Sequence, residues 1–339
     1  MKNSVVKLKQ LWLLGFCLLV LLMISVGGIT RLTRSGLSIV EWKPVSGIIP
    51  PITETDWQQQ FDLYKQTPEF SNVNSHFELS DYKSIFMWEY LHRVLGRLIF
   101  LFVVIPGIIL WRKKIVSGRL VLLLAGLVAF QGLIGWLMVK TGLNIKPHVS
   151  PFMLALHFFT ALSVLLVAYY NYSKTLNPIV APVSHNQKSW LAVFGIGLSL
   201  QVFYGCLTSG LKAGFGYNTY PLMNGDFFPE GGLFFSPAVV NFFENPATVQ
   251  WTHRWLGITV LSLLIFCVFQ FQQAEVWPAV KKYFYLILAV IVTQVVLGIL
   301  NIIYVVPVPL AALHQFVAAV LVISYFRLVF LLPRAREKA

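Results

Sequence analysis

Apolar runs of membrane-spanning length recur along the whole chain, with polar residues gathered between them. Eight runs reach about 20 residues, the length an α-helix needs to cross a bilayer: 10–29, 89–111, 119–139, 151–171, 189–209, 250–272, 281–303 and 309–332. The pattern predicts an all-α, polytopic membrane protein with eight transmembrane helices. The first run follows Lys2, Lys7 and Lys9, as a secretory signal would. Behind it stands SVGGITRLTRSG rather than a small-x-small cleavage site, which predicts a retained helix. Connections on one side are short, whereas two on the other side are long, about 31–88 and 210–249. Long ordered loops usually cover something. In TETDWQQQFDLYKQ (53–66), Thr53 and Asp56 resemble a capping box that opens a short amphipathic helix. Its Trp57, Phe61 and Tyr64 share one face, to be laid against the membrane surface or the bundle.

The runs repeat as a set. LHRVLGRLIF (91–100) aligns with THRWLGITVL (252–261), AFQGLIGWL (129–137) with VTQVVLGIL (292–300), and LALHFFTALSVLLVAYY (154–170) with AALHQFVAAVLVISYF (311–326). A weaker match joins GGITRLTRSGL (27–37) to YGCLTSGLKAGF (204–215). The order is kept, so spans one to four recur as spans five to eight, giving an N-terminal repeat at 1–175 and a C-terminal one at 186–333. Four helices per repeat is an even number, so both repeats enter the membrane in the same sense. The prediction is two tandem four-helix bundles related by a pseudo-twofold axis along the membrane normal.

Composition agrees with this reading and charge adds an orientation. The 339 residues are 57% hydrophobic and 12% charged, about half the charged fraction of a soluble protein, and mean hydropathy is +0.72. The net charge of +13 would suit nucleic acid if it formed a patch. Instead Lys2, Lys7, Lys9, Arg112, Lys113, Lys114, Arg119, Lys174, Lys188, Lys281, Lys282, Arg334, Arg336 and Lys338 all fall on one side of the eight-span arrangement. Nearly all acids fall opposite. The positive-inside rule then puts both termini in the cytoplasm, or the matrix of an organelle. No nucleic-acid partner is implied. Cys17, Cys206 and Cys267 lie singly inside spans, which supports neither a disulfide framework nor a thiolate metal site.

Four of the seven histidines, His92, His157, His253 and His314, occupy repeat-equivalent positions in the first turns of even-numbered spans. All four therefore lie at one depth, near the outer face, as two pairs: His92 with His157 and His253 with His314. His76, His148 and His185 fall in loops and read as surface residues. A single membrane histidine is as often a packing residue as a ligand. Four at one depth are harder to explain that way, because ionisable groups inside a membrane cost roughly a few kcal/mol or more and are functional by default. Two imidazoles facing across a bundle suit axial ligation of heme iron. Zinc usually needs three or four protein ligands. Glu89 is a candidate third ligand at the first pair, and Gln250 offers none at the second.

Arg93 and Arg254 each follow the first histidine of a pair, where they would hold heme propionates or reach lipid headgroups. Arg97, one turn below Arg93, has no basic match in the second half. Glu89 stands three residues before His92 on the same helix face, and Gln250 stands in that place before His253. A carboxylate beside one pair and an amide beside the other suggests divided roles, with proton-coupled chemistry in the first half and a permanent redox cofactor in the second. Alternatively, Glu89 is an ion-pair partner of Arg93 or Arg97.

GGITRLTRSGLSIVEWKPVSGIIPP (27–51), EYLHRVLGR (89–97), PLMNGDFFP (221–229), NFFENPATVQWTHRWLG (241–257) and the LALH/AALH pair together closely resemble the heme A synthase family over nearly the whole chain. The resemblance is to the branch of Gram-negative bacteria and mitochondria. Other branches carry a cysteine pair in the first outer loop that this sequence lacks. The resemblance implies an oxidoreductase that converts a porphyrin methyl group of heme O to a formyl group, giving heme A for terminal oxidases. It implies heme b as cofactor at His253 and His314, heme O as substrate at His92 and His157, and a need for Glu89. It further implies the inner (cell) membrane with heme sites toward the periplasmic side. Heme O synthase, an electron donor such as a ferredoxin, and further copies of the chain are the partners to expect, besides lipid. The alternative is a di-heme b-type electron-transfer membrane protein. Such a conduit has no need of Glu89 in one half only, and it usually sets its hemes at different depths. A transporter on parallel repeats would show mid-span charges, and none occurs.

Overall fold

The computed structural model describes residues 2–43, 46–144, 148–177, 179 and 181–332. Among these the chain is helical, and no β-strand forms beyond a single bridge between Met223 and Asp226. Arg334, Arg336 and Lys338 lie outside the described residues.

Among the described residues, eight helices are long and apolar enough to cross a membrane: α1 (Lys2–Leu32), α4 (Leu79–Arg112), α5 (Gly118–Asn144), α6 (Pro151–Ser173), α7 (His185–Gly210), α9 (Pro246–Gln272), α10 (Trp277–Ile303) and α11 (Val308–Leu331). Short helices α2 (Glu54–Lys65), α3 (Pro68–Asn72) and α8 (Asn241–Glu244) lie in the long loops. The span count matches the hydropathy pattern. The largest boundary difference is at α4, which begins ten residues before its apolar run at 89. Its extra turns carry Tyr82, Ile85 and Phe86, all buried, so packing rather than lipid sustains them. Along the spans, buried positions such as Ile99, Val103 and Leu110 of α4 alternate with exposed Leu98, Leu101, Ile105 and Ile109. Outward leucine and isoleucine are at home where the solvent is lipid.

The chain divides into two compact units, Met1–Ala168 and Tyr169–Ala339. In the first, the capping box of α2 is complete. Thr53 Oγ1 accepts from the Asp56 amide at 3.1 Å, and Asp56 Oδ2 accepts from the Thr53 amide at 3.1 Å. The aromatic face of α2 turns to the bundle. Trp57 meets Phe86 edge-on at 5.0 Å, and Phe61 and Tyr64 each stack on Tyr82 at 5.2 Å. α3 completes this cap. Tyr64 donates to Glu69 at 3.2 Å and accepts from Asn74 at 2.8 Å. Burial and the Glu69 carboxylate push the Tyr64 hydroxyl well above its usual range, which keeps it a donor.

The second unit carries a different kind of loop, organised by buried amides. Asn241 bonds the Phe235 amide and carbonyl at 2.9 and 2.8 Å, and Asn245 donates to the Gly231 carbonyl at 2.9 Å while capping α9. Asparagine side chains supply the paired donor and acceptor that an irregular backbone leaves unsatisfied.

Candidate functional site

Each of the four repeat-equivalent histidines meets a glycine on the preceding membrane helix. A Cβ built at Gly27 of α1 would lie 3.1 Å from His92 Nε2, and at Gly135 of α5, 3.0 Å from His157 Cε1. At Gly205 of α7 it would lie 3.2 Å from His253 Cε1, and at Gly298 of α10, 3.3 Å from His314 Cε1. Only glycine lets a ring seat so close to the neighbouring backbone. Within each unit the expected partners come together, His92 within electrostatic reach of His157 and His253 of His314. All four rings are half-buried. His76, His148 and His185 are exposed.

Glu89 is buried, 3% exposed, and its carboxylate takes four donors. Oε2 accepts from Ser38 Oγ and the Ile39 amide, both at 2.8 Å, and Oε1 accepts from Arg93 Nη2 at 2.7 Å and Nε at 3.1 Å. Arg93 continues to the carbonyls of Ile39 at 2.9 Å and Glu41 at 3.0 Å. Tyr90 donates to the Ile48 carbonyl at 2.5 Å, and Arg97 Nη2 to that of Lys43 at 2.8 Å. One face of α4 thus pins residues 38–43 and Ile48. Arg97, which has no counterpart in the other half, has its place here.

The C-terminal unit pins its loop with different chemistry. Gln250, 1% exposed, donates to the Gly216 carbonyl at 2.9 Å. Arg254 donates to the carbonyls of Thr219 at 2.6 Å and Tyr217. The carboxylate accepts from a loop amide where the amide donates to a loop carbonyl. Both arginines therefore hold loops. They differ in what is left over. Arg93 commits both Nε and Nη2 to Glu89, whereas Arg254 Nε is sealed from solvent with no partner.

Further unpaired atoms gather around the second pair. Nδ1 of His253 and of His314 are sealed without hydrogen bonds, as are Oε1 of Gln201 and of Gln294. Each such atom costs roughly 1–3 kcal/mol. His253 is turned toward the main-chain carbonyl of Gln201, and His314 toward that of Gln294, though neither Nδ1 bond is closed. These residues fit a heme: paired imidazoles in glycine cradles, Nδ1 sealed within the protein, and one buried guanidinium N–H without a partner. Among the described residues no group of three or more His, Cys, Asp or Glu is placed to hold a bare metal ion.

Sequence reasoning missed Ser38 and Ile39, whose contact with Glu89 joins distant segments. It also missed Gln131, Gln201 and Gln294, although a signal existed. Each stands four residues before a glycine that receives a histidine, as Q-x-x-x-G, and Met23 stands there before Gly27.

Fold and site together define a multi-pass membrane protein with two half-buried imidazole pairs, each beside a pinned loop. Residues 10–326 match the family described as cytochrome oxidase assembly protein (COX15-CtaA), and the chain belongs to that family. It is similar to the heme A synthase of Maricaulis maris, 41% identical over 321 residues covering 92% of each chain. The heme A synthase of Nitrosospira multiformis is 39% identical across 93% of this chain and 90% of its own. That of Wolbachia pipientis wMel is 36% identical across 90% and 87%.

Proposed function

We propose that this chain is a heme A synthase, oxidising a porphyrin methyl group of heme O to the formyl group of heme A. The names of its relatives support the reaction, and one observation supports its location: two matched histidine pairs whose neighbouring residue is Glu89 in one half and Gln250 in the other. His92 and His157 are the ligands for substrate heme in the N-terminal repeat, 1–175. His253 and His314 hold heme b as resident cofactor in the C-terminal repeat, 186–333. The termini lie on the cytoplasmic side and the histidines toward the periplasmic side of the inner membrane.

Bound heme supplies the oxidising power of iron, which a methyl C–H bond requires. The chain supplies geometry and a base. Arg254 Nε, buried and unpartnered, is the donor available to a propionate. Arg93 positions Glu89. For Glu89 to accept a proton or orient a water, one of its four donors must give way. Ser38 is the one that can, because its hydroxyl also lies 2.8 Å from the Ser35 carbonyl and its single proton can turn there. Heme O synthase, a ferredoxin-like electron donor and further copies of the chain are partners of this reading.

The test is heme extraction and mass analysis after expression with and without a heme O synthase. Heme A should appear only when both proteins are present. Two hemes b and no heme A under both conditions would make the chain an electron-transfer protein.

A further inference from the structure

The buried face of α1 ends on a charge. Leu13, Cys17, Val20 and Ile24 are all buried, Gly27 receives His92, and Arg31 stands next in the same register. The steps along this series are 4, 3, 4, 3 and 4 residues, the spacing that keeps side chains on one helical stripe. Leu11, Leu14, Leu18 and Leu22 are exposed and mark the opposite side of the helix. Arg31, half-buried in the last turn of α1, therefore continues the face that carries the His92 cradle. One turn separates Gly27 from Arg31, a rise of about 6 Å. An arginine on the inward stripe of a membrane helix is costly to keep, and such residues are functional by default.

The matching place in the other repeat is uncharged. α7 runs through buried Leu191, Phe194 and Leu198 to Gly205, which receives His253, and four residues further on stands Ser209. In that unit the cation comes from α9, where Arg254 Nε is sealed without a partner. Arg93 holds the same position on α4, but its Nε, Nη1 and Nη2 all have acceptors in Glu89 and the Ile39 and Glu41 carbonyls. Each unit thus sets one arginine beside its histidine pair that its own loop does not explain, on α1 in the first and on α9 in the second.

We propose that Arg31 binds a carboxylate of the substrate porphyrin at the His92–His157 site, the part that Arg254 takes in the other unit. The inference rests on the heme ligation proposed above and deepens it by naming the group that reads the anionic edge of the substrate. A guanidinium and a carboxylate meet as a two-point fork, which adds direction to the affinity. Arg31 therefore fixes the rotation of the ring about its normal. That rotation decides which methyl group is brought toward Glu89, and it makes Arg31 a determinant of where the substrate is oxidised.

The test is porphyrin binding by the full chain, made without a heme O synthase and holding one heme in its C-terminal unit. The probes are heme O and its dimethyl ester, which lacks the negative charges, and ligation is followed by absorption. The wild type should bind the free acid about 10–100-fold more tightly than the diester. Arg31→Met should erase that preference by weakening the free acid alone, and Arg31→Lys should keep part of it, because the charge stays and the fork is lost. Arg31→Gln is a second neutral variant should Arg31→Met fail to accumulate. A wild type indifferent to esterification would overturn the proposal, as would a neutral variant that keeps the preference or weakens both porphyrins equally. Failure of the ligation reading looks different: His92→Ala and His157→Ala would then leave the binding of both porphyrins unchanged.

Discussion

Position 89 in the first half and position 250 in the second face the same task with opposite chemistry. Each buried side chain precedes a histidine by three residues and ties down the loop that follows the preceding odd-numbered span. Glu89 does so by accepting and carries a charge, which Arg93 neutralises at 2.7 Å. Gln250 does so by donating and carries none, and among the described residues the Arg254 charge is met by carbonyl dipoles and not by a carboxylate. One half thus holds a buried ion pair beside its histidines and the other an unbalanced cation. A site that must move protons gains from a carboxylate. A site that must hold an anionic-edged cofactor gains from a spare positive charge.

The coarsest way to break this comparison is to remove ligands. His253→Ala or His314→Ala should reduce heme b in purified protein at least about tenfold and abolish heme A with it. His157→Ala should abolish heme A and leave heme b in place. Pyridine hemochrome spectra separate these outcomes, and equal losses in both halves would end the division of labour. Next is Glu89→Gln, expected to lower heme A production on the order of 100-fold with heme b unchanged. The reciprocal Gln250→Glu should chiefly speed hydrogen exchange around Gly216, because a carboxylate cannot donate to that carbonyl.

Ser38→Ala sharpens the picture within the first half. It removes one donor to a charged acceptor, worth roughly 1.5–3 kcal/mol, and exchange protection of segment 38–43 should fall by that amount. Arg97→Ala removes one partly exposed bond to the Lys43 carbonyl. The expected cost is about 1 kcal/mol, read as faster exchange in the same segment and no change at the C-terminal loop. The smallest effect is on pH. The Thr53 amide and hydroxyl hold the Asp56 carboxyl below its ordinary value of 3.8. A depressed carboxyl contributes stability above its unfolded value and loses it as pH falls through the folded one. Amide exchange in α2 should therefore stay slow at pH 5 and quicken only below about pH 3.8.

Much of this was legible in the chain. Eight spans, the histidine register and the Thr53–Asp56 cap depend on composition and short spacing, which one segment reveals without knowledge of any other. The direction in which α2 turns its aromatic face was not. That choice depended on Tyr82 and Phe86, on turns of α4 too polar to be counted as a span. The charges of Arg93 and Arg254 were visible in the chain, and the loop carbonyls they meet were not.

What the sequence determined by itself was the membrane character, the number of spans and the matched placing of four histidines, because lipid and helical periodicity act on residues close together in the chain. Only the tertiary structure decided that Glu89 and Gln250 pin loops in opposite senses, and that Arg93 and Arg254 meet loop carbonyls. Those facts are contacts between segments dozens of residues apart. A donor and an acceptor declare their roles only when folding places them 3 Å from each other.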